Sequence, residues 1–173
     1  MNRTTKILVF KHAVYVFFLL FCYILQTTPD LFVLAGVKPI LVIPFAVVIA
    51  MQEGEFVGCI YGAVAGLLHD VNSSALFGYN ALISAVCCTL IGLCVIYLVR
   101  YNLLGCLMFV SVTLFIQESI AFLFAYGMWG HEQVWKLYVF YTLPTILYSV
   151  LATIPIFAVL RWLFYRFAAW FSS

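Results

Sequence analysis

Few side chains in this sequence could carry chemistry. It contains six Asp and Glu, eight Lys and Arg, and three His among 173 residues. Four of these residues could reach one side of the molecule, where imidazole and carboxylate groups would together suit a metal ion. They are His69, Asp70, His131 and Glu132. Their spacing matches no metal-ligand motif, so we expect no metal site and no cofactor.

The sequence also lacks the residue combinations of a catalytic site. It shows no nucleophile beside a base, no pair of carboxylates on one helix face, and no glycine loop that would hold a phosphate. Its six cysteines lie within apolar runs, where cysteine is typically a small packing residue. We therefore expect a protein that is not an enzyme and that has no catalytic residue.

Glu118 lies near the middle of a long apolar segment. An ionised carboxylate at the centre of a bilayer costs at least about 2.5 to 3.5 kcal/mol, so we expect this side chain to face other helices. Gln117 is adjacent, and counting down an antiparallel neighbour places Thr145, Tyr148 and Ser149 at the same level. This set is predicted to form a buried polar anchor or, as an alternative, a site for coupling or ligand binding.

Two rows of small or polar residues recur at the four-residue spacing of one helix face. The first row is Gly54, Gly58, Gly62 and Gly66, followed by Asp70. The second row is Asn80, Ser84, Cys88 and Gly92. Because small side chains let helices approach closely in lipid, we expect the two segments to pack against each other. The alternative is that the glycine row receives a helix of a partner protein, with Asp70 and Asn80 shaping the end beside it.

The elements that position these residues must lie in a membrane. The chain is 67% hydrophobic and 8% charged, whereas a typical soluble domain is about 25% charged. Roughly 20 apolar residues span a bilayer as a helix. We predict an all-α, polytopic membrane protein, a single domain with six transmembrane helices. The predicted spans are about 7–25, 36–51, 54–70, 79–99, 103–126 and 137–164.

The second span is short and contains two prolines, so a re-entrant hairpin is an alternative that would leave five crossings. With six crossings, the distribution of basic residues favours cytoplasmic termini. The inner side would hold Arg3, Lys6, Lys11, Arg100, Arg161 and Arg166, and the outer side Lys38 and Lys136. Lys11 and His12 are expected to snorkel at the end of the first span. A net charge of +2 is too small for a nucleic-acid surface, so we expect no nucleic-acid partner.

Several segments between about residues 20 and 100 carry a resemblance to a known family. They are Leu25–Pro29, Val37–Pro39, Glu53–Glu55, the glycine row through Gly66–Asp70, and Leu76–Leu82. In this order they resemble the MreD family of rod shape-determining proteins. The rest of the chain is similar in size, span number and a late helix that contains proline.

This resemblance implies a function and a set of partners. It implies a non-catalytic, multi-pass protein of the bacterial inner membrane that helps the cell-elongation machinery build peptidoglycan in the lateral wall. The implied partners are MreC and, through it, MreB, RodA and a class B penicillin-binding protein, besides membrane lipids. The implied six-helix fold resembles that of the substrate-binding subunits of energy-coupling-factor transporters.

Those transporter subunits provide the alternative function, binding of a small vitamin-like solute. They share an Ala-xxx-Ala pattern on the first helix, but here Phe17 follows Ala13 after four residues. The sequence also has few polar side chains that could surround a soluble ligand, which needs several convergent polar groups. Both observations favour the cell-shape function.

Overall fold

The computed structural model describes residues 3–29, 37–72, 77–97, 101–125 and 138–172. These residues form six α-helices. They are α1 (Arg3–Thr27), α2 (Val42–Glu53), α3 (Glu55–Asn72), α4 (Tyr79–Tyr97), α5 (Leu103–Ala125) and α6 (Leu143–Ser172). A π-helical turn, Tyr138–Thr142, leads directly into α6.

Four helical stretches in the described part of the chain are long and apolar enough to cross a bilayer. They are Ile7–Thr27, Tyr79–Tyr97, Leu103–Phe124 and Tyr138–Phe167. A bilayer core needs roughly 20 apolar residues as a helix, because each residue adds about 1.5 Å to the helix length. The chain therefore forms an all-helical membrane protein, as the composition predicts.

The second predicted span differs from a complete transmembrane helix. Residues 38–41 are not helical, and α2 begins only at Val42 and has 12 residues. Pro39 lies in the non-helical lead, whereas Pro44 falls in the first turn of α2, where the missing N–H removes no helical hydrogen bond. The helix is about 18 Å long, which is shorter than the hydrocarbon core.

Helix α2 is the centre of the molecule. All ten residues from Val42 to Met51 are buried, and α2 contacts α1, α3, α4, α5 and α6. Residues buried on every side of a helix must be covered by its neighbours. The other five helices therefore enclose α2 and separate it from lipid.

The contacts of α1 show that α2 runs antiparallel to it. The start of α2 contacts Gln26, whose Oε1 accepts hydrogen bonds from the Leu41 and Val42 N–H groups at 2.9 and 3.2 Å. The end of α2 contacts Lys11, whose Nζ lies 2.6 Å from Oε2 of Glu53. We call these two levels the Asp70 end and the Glu53 end of the bundle. They are 15 residues of α1 apart, or about 22 Å.

The prediction that Lys11 and His12 snorkel is wrong. The Lys11 side chain is buried and forms an ion pair with Glu53, while Nδ1 of His12 lies 3.2 Å from the Tyr61 hydroxyl. The reason is that α1 begins at Arg3, so Lys11 lies two turns inside the helix and opposite the end of α2. Glu53 supplies the opposite charge that a buried ammonium group requires.

Candidate functional site

The glycine row of α3 lies directly against α4. A Cβ atom added at Gly62 would stand 2.7 Å from the carbonyl oxygen of Ser84. At Gly66, an added Cβ would overlap the backbone of Asn80 and Ala81. Real Cβ atoms do not approach other atoms so closely, so the two backbones can meet only because these positions carry glycine. The close packing of the two segments agrees with the prediction from their spacing.

The remaining members of the two rows are also used inside the molecule. An added Cβ at Gly58 would lie 2.7 Å from Cβ of Ala50 in α2, and one at Gly92 would lie 2.6 Å from the Glu55 backbone. Cys88 is fully buried against α3. These contacts leave no room on this face for the helix of a partner, the alternative that the spacing allowed.

Gly54 belongs to the row by spacing but has a different role. It ends α2 with φ of 91°, and its N–H donates to the carbonyl oxygen of Ala50 at 3.2 Å. The nearest atom to an added Cβ is Cδ1 of Ile96, at an ordinary 3.8 Å. Glycine is therefore needed here for the positive φ of the turn and not for close packing, which corrects the prediction.

Asp70 caps the start of α4. Its side chain is 2% exposed, and its carboxylate accepts hydrogen bonds from the Gly78 N–H at 2.9 Å and from the Asn80 and Ala81 N–H groups at 3.3 Å. The Asn80 side-chain amide donates a further bond at 2.9 Å. Because a helix start has unpaired N–H groups and a positive dipole end, the buried negative charge is stabilised there. Asp70 thereby ties the end of α3 to the start of α4.

Gln117 extends this polar connection to α5. Its Nε2 donates to the hydroxyl of Ser84 at 3.0 Å and to the side-chain and backbone oxygens of Asn80 at 3.3 Å. Gln117 and Ser84 are both almost completely buried. Helices α3, α4 and α5 are thus joined by polar side chains. In the sequence, these side chains fall into two separate sets, the small-residue rows and the polar anchor predicted around Glu118.

The predicted polar anchor around Glu118 is divided among several places. Oε1 of Glu118 lies 3.8 Å from Nε2 of His69 in α3. The Ser149 hydroxyl accepts a hydrogen bond from the Ile40 N–H at 2.7 Å, and Tyr148 lines a separate groove. Counting residues down two helices gives their levels but not their rotation, so Thr145 shares a cavity with Glu118, whereas Tyr148 and Ser149 make their contacts elsewhere.

A polar cavity of about 470 Å³ opens at the Asp70 end, and Glu118 and Thr145 both line it. We call it the polar cavity. Its walls come from α1, the lead into α2, α3, α4, α5 and α6. The lining residues are Gln26, Thr27, Lys38, Pro39, Ile40, His69, Asn72, Asn80, Glu118, Ala121 and Thr145. Amides, hydroxyls, an imidazole and charges of both signs therefore converge on one space.

An apolar groove of about 430 Å³ lies between α1 and α6 and is floored by α2. We call it the apolar groove. Its lining residues are Phe18, Phe21, Cys22, Leu25, Pro39, Leu41, Phe45, Tyr148, Leu151, Ala152, Pro155, Ile156, Val159 and Leu160. The two walls are helices apolar and long enough to cross the bilayer, so the groove faces hydrocarbon.

Polar contacts at the Glu53 end were not predicted from the sequence. Glu53 accepts a hydrogen bond from the Tyr15 hydroxyl at 3.1 Å in addition to its ion pair with Lys11. Nearby, Nε2 of Gln52 donates to the Tyr101 hydroxyl at 2.7 Å, and burial raises the pKa of Tyr101 to about 12, so this hydroxyl stays neutral. The one feature of the sequence that could have indicated these contacts is Lys11, a charged residue well inside the first helix.

The predicted metal-binding candidates are only partly described. His69 and Asp70 lie at the Asp70 end, and His131 and Glu132 lie outside the described residues. Within the described ranges, no three His, Cys, Asp or Glu side chains are grouped so that they could hold a metal ion.

Comparison with known proteins gives one result. The family model described as rod shape-determining protein MreD matches residues 6–167 of the 173-residue chain. No curated protein and no solved structure matches the chain. The family match includes α2 to α5 completely, together with the residues of the polar cavity and the apolar groove. The chain therefore belongs to the MreD family of rod shape-determining proteins.

Proposed function

We propose that this protein is a non-catalytic component of the cell-elongation machinery in the bacterial inner membrane, where it helps assemble or regulate peptidoglycan synthesis in the lateral wall. The observation that carries the proposal is the family match over residues 6–167. The proposed partners are MreC and, through it, MreB, RodA and a class B penicillin-binding protein. In this function the helices hold partners in place, and no catalytic residue is needed.

The arrangement of polar groups supports a scaffold. Asp70, Asn80, Ser84 and Gln117 bond to one another and to the backbone, so they join helices within the chain. Gly58, Gly62, Gly66 and Gly92 likewise pack against other helices of the same chain. The surface left for partners is then the apolar exterior, where for example Phe17 and Phe56 are 67% and 76% exposed. Such side chains suit contacts with lipid or with the transmembrane helix of another protein.

We propose a single domain with six crossings and both termini in the cytoplasm. The two ends of α2 contact levels of α1 that are about 22 Å apart, which supports a complete crossing by the lead and α2 together and speaks against a re-entrant hairpin. Lys11 and Arg161 lie toward the Glu53 end, and Lys38 toward the Asp70 end. The Glu53 end would therefore face the cytoplasm. Likeness to the six-helix transporter subunits stays a prediction.

Co-purification tests the proposed partners. The full chain carries a tag in its own cell, is extracted in mild detergent, and is analysed for bound proteins by mass spectrometry. We expect MreC together with wall-synthesis enzymes. A matched pair of variants, Phe17→Ala on the exterior and Phe45→Ala in the core, separates loss of a partner from loss of the fold, because only Phe45 is buried.

The alternative function predicts different results in the same experiment. Recovery of an ATPase-containing transport module, or of a bound small vitamin, would contradict a cell-shape scaffold. The family match does not favour that alternative.

A further inference from the structure

The polar cavity and the apolar groove adjoin each other at one shared residue. Pro39 lines both. On α1, Leu25 faces the groove and the next residue, Gln26, faces the cavity, and on the lead into α2 the same change occurs between Leu41 and Ile40. A ligand that occupied both spaces would therefore be polar at one end and apolar at the other.

The cavity contains two side chains that can carry charges of opposite sign, Lys38 and Glu118. Lys38 is exposed, and its Nζ lies 3.4 Å from the carbonyl oxygen of Thr28. The Glu118 carboxylate lies 3.8 Å from the His69 imidazole, which is beyond hydrogen-bonding distance, so it can accept a stronger bond from a ligand. One cation and one anion in a single cavity complement a zwitterion better than a ligand with only one charge.

The groove supplies the apolar part of the site. Its lining includes three phenylalanines, and Leu151 at its rim is 63% exposed. Because α1 and α6 face the hydrocarbon of the membrane, an acyl chain can enter the groove from the side without leaving the bilayer. The groove then extends an acyl chain from the level of the cavity toward the middle of the membrane.

We propose that the two spaces together form a binding site for one phospholipid with a phosphoethanolamine head group. Lys38 contacts the phosphate, Glu118 accepts a hydrogen bond from the primary ammonium group, and an acyl chain lies in the apolar groove. A quaternary ammonium group has no N–H to donate, and a glycerol head group has no positive charge. The site therefore discriminates against phosphatidylcholine and phosphatidylglycerol.

The test reconstitutes the purified full chain in vesicles with equal amounts of phosphatidylethanolamine, phosphatidylcholine and phosphatidylglycerol. Lipids that remain bound after mild detergent extraction are counted by native mass spectrometry. We expect phosphatidylethanolamine to be enriched about tenfold over either competitor, since a hydrogen bond to a charged group is worth roughly that factor or more. A bound composition equal to that of the vesicles would overturn the proposal.

Two variants, each with a matched control, assign the contacts. Glu118→Gln should remove most of the enrichment, whereas Glu55→Gln, which lies outside both spaces, should keep it. Leu151→Trp should fill the groove and lower the retained lipid several-fold. Leu147→Trp is the control, because Leu147 lies one turn away, is 64% exposed and does not line the groove.

Two further outcomes would overturn the proposal. If soluble phosphoethanolamine binds as well as the lipid and Leu151→Trp has no effect, the cavity binds a head group alone. If Leu151→Trp leaves lipid retention unchanged but abolishes recovery of MreC, the groove receives a protein helix. Lipid retention is measured on the purified chain, so its failure would leave the proposed cell-shape function untouched.

Discussion

The α3–α4 pair and the α1–α6 pair represent two ways of packing helices in lipid. Between α3 and α4, glycines remove the side chains and the backbones meet. Between α1 and α6, bulky side chains such as Phe18 and Leu151 line a groove of about 430 Å³. Since lipid provides no hydrophobic drive between helices, the first pair depends on close van der Waals contact. The helices of the second pair are held in place by α2, through polar contacts at the two ends of α2.

The difference indicates that one half of the molecule contributes mainly to stability and the other mainly to binding. The pair α3–α4 with α2 forms a close-packed half, in which Asp70 bonds Asn80. The groove half leaves its apolar side chains open to the membrane, and helices of both halves line the polar cavity. Substitutions at the glycine contacts, or at the polar pairs that join helices such as Lys11 with Glu53, should therefore change stability. Substitutions at residues that line only the open groove should change binding.

The largest effect is expected from Gly66→Leu. The new side chain would overlap the backbone of Asn80 and Ala81, which cannot move without separating α3 from α4. We expect destabilisation of at least about 3 kcal/mol, or failure to accumulate, measured by thermal unfolding in detergent. Val64→Leu on the exposed face of the same helix is the control and should stay near wild type. Equal stability of the two variants would show that the helices are not in close contact.

The next largest effect is expected from Lys11→Met. This change leaves the Glu53 carboxylate, whose side chain is 12% exposed, without its ion-pair partner, which costs up to about 3 to 5 kcal/mol. The double variant Lys11→Met with Glu53→Gln should recover much of the lost stability, because no buried charge then remains uncompensated. Unfolding of the two single variants and the double variant at neutral pH gives the coupling energy. Purely additive effects would mean that α1 is not held by this pair.

A smaller effect is expected from Asp70→Ala. The substitution removes the acceptor for the N–H groups at the start of α4 and should cost about 2 to 3 kcal/mol. Hydrogen exchange should become faster at Asn80 and Ala81 and remain unchanged in the second half of α4. Uniform exchange along α4 would contradict a local capping role.

The smallest effect on stability is expected from Leu151→Trp. Leu151 is on the exposed rim of the groove, so the free energy of unfolding should change by less than about 0.5 kcal/mol. The expected change is in lipid retention, as described above. A large loss of stability would show that the groove half is packed as tightly as the glycine half.

The sequence predicted local spacing well and tertiary position poorly. The glycine row and its partner on α4 were identified because a four-residue period fixes which side chains share a helix face. The contact of Glu118 with His69 was not predicted, because the rotation of a helix about its axis depends on every neighbouring helix. The ion pair of Lys11 and Glu53 and the short α2 also depend on contacts between segments far apart in the chain.

Cell shape after depletion of the protein tests the central claim most directly. The chain is depleted in its own rod-shaped cell, and cell width is followed by microscopy while wild type or the Gly66→Leu variant is supplied from a second copy. We predict that depleted cells become round, that wild type restores rods, and that Gly66→Leu does not. Cells that stay rod-shaped without the protein would contradict its role as a shape-determining component of the membrane.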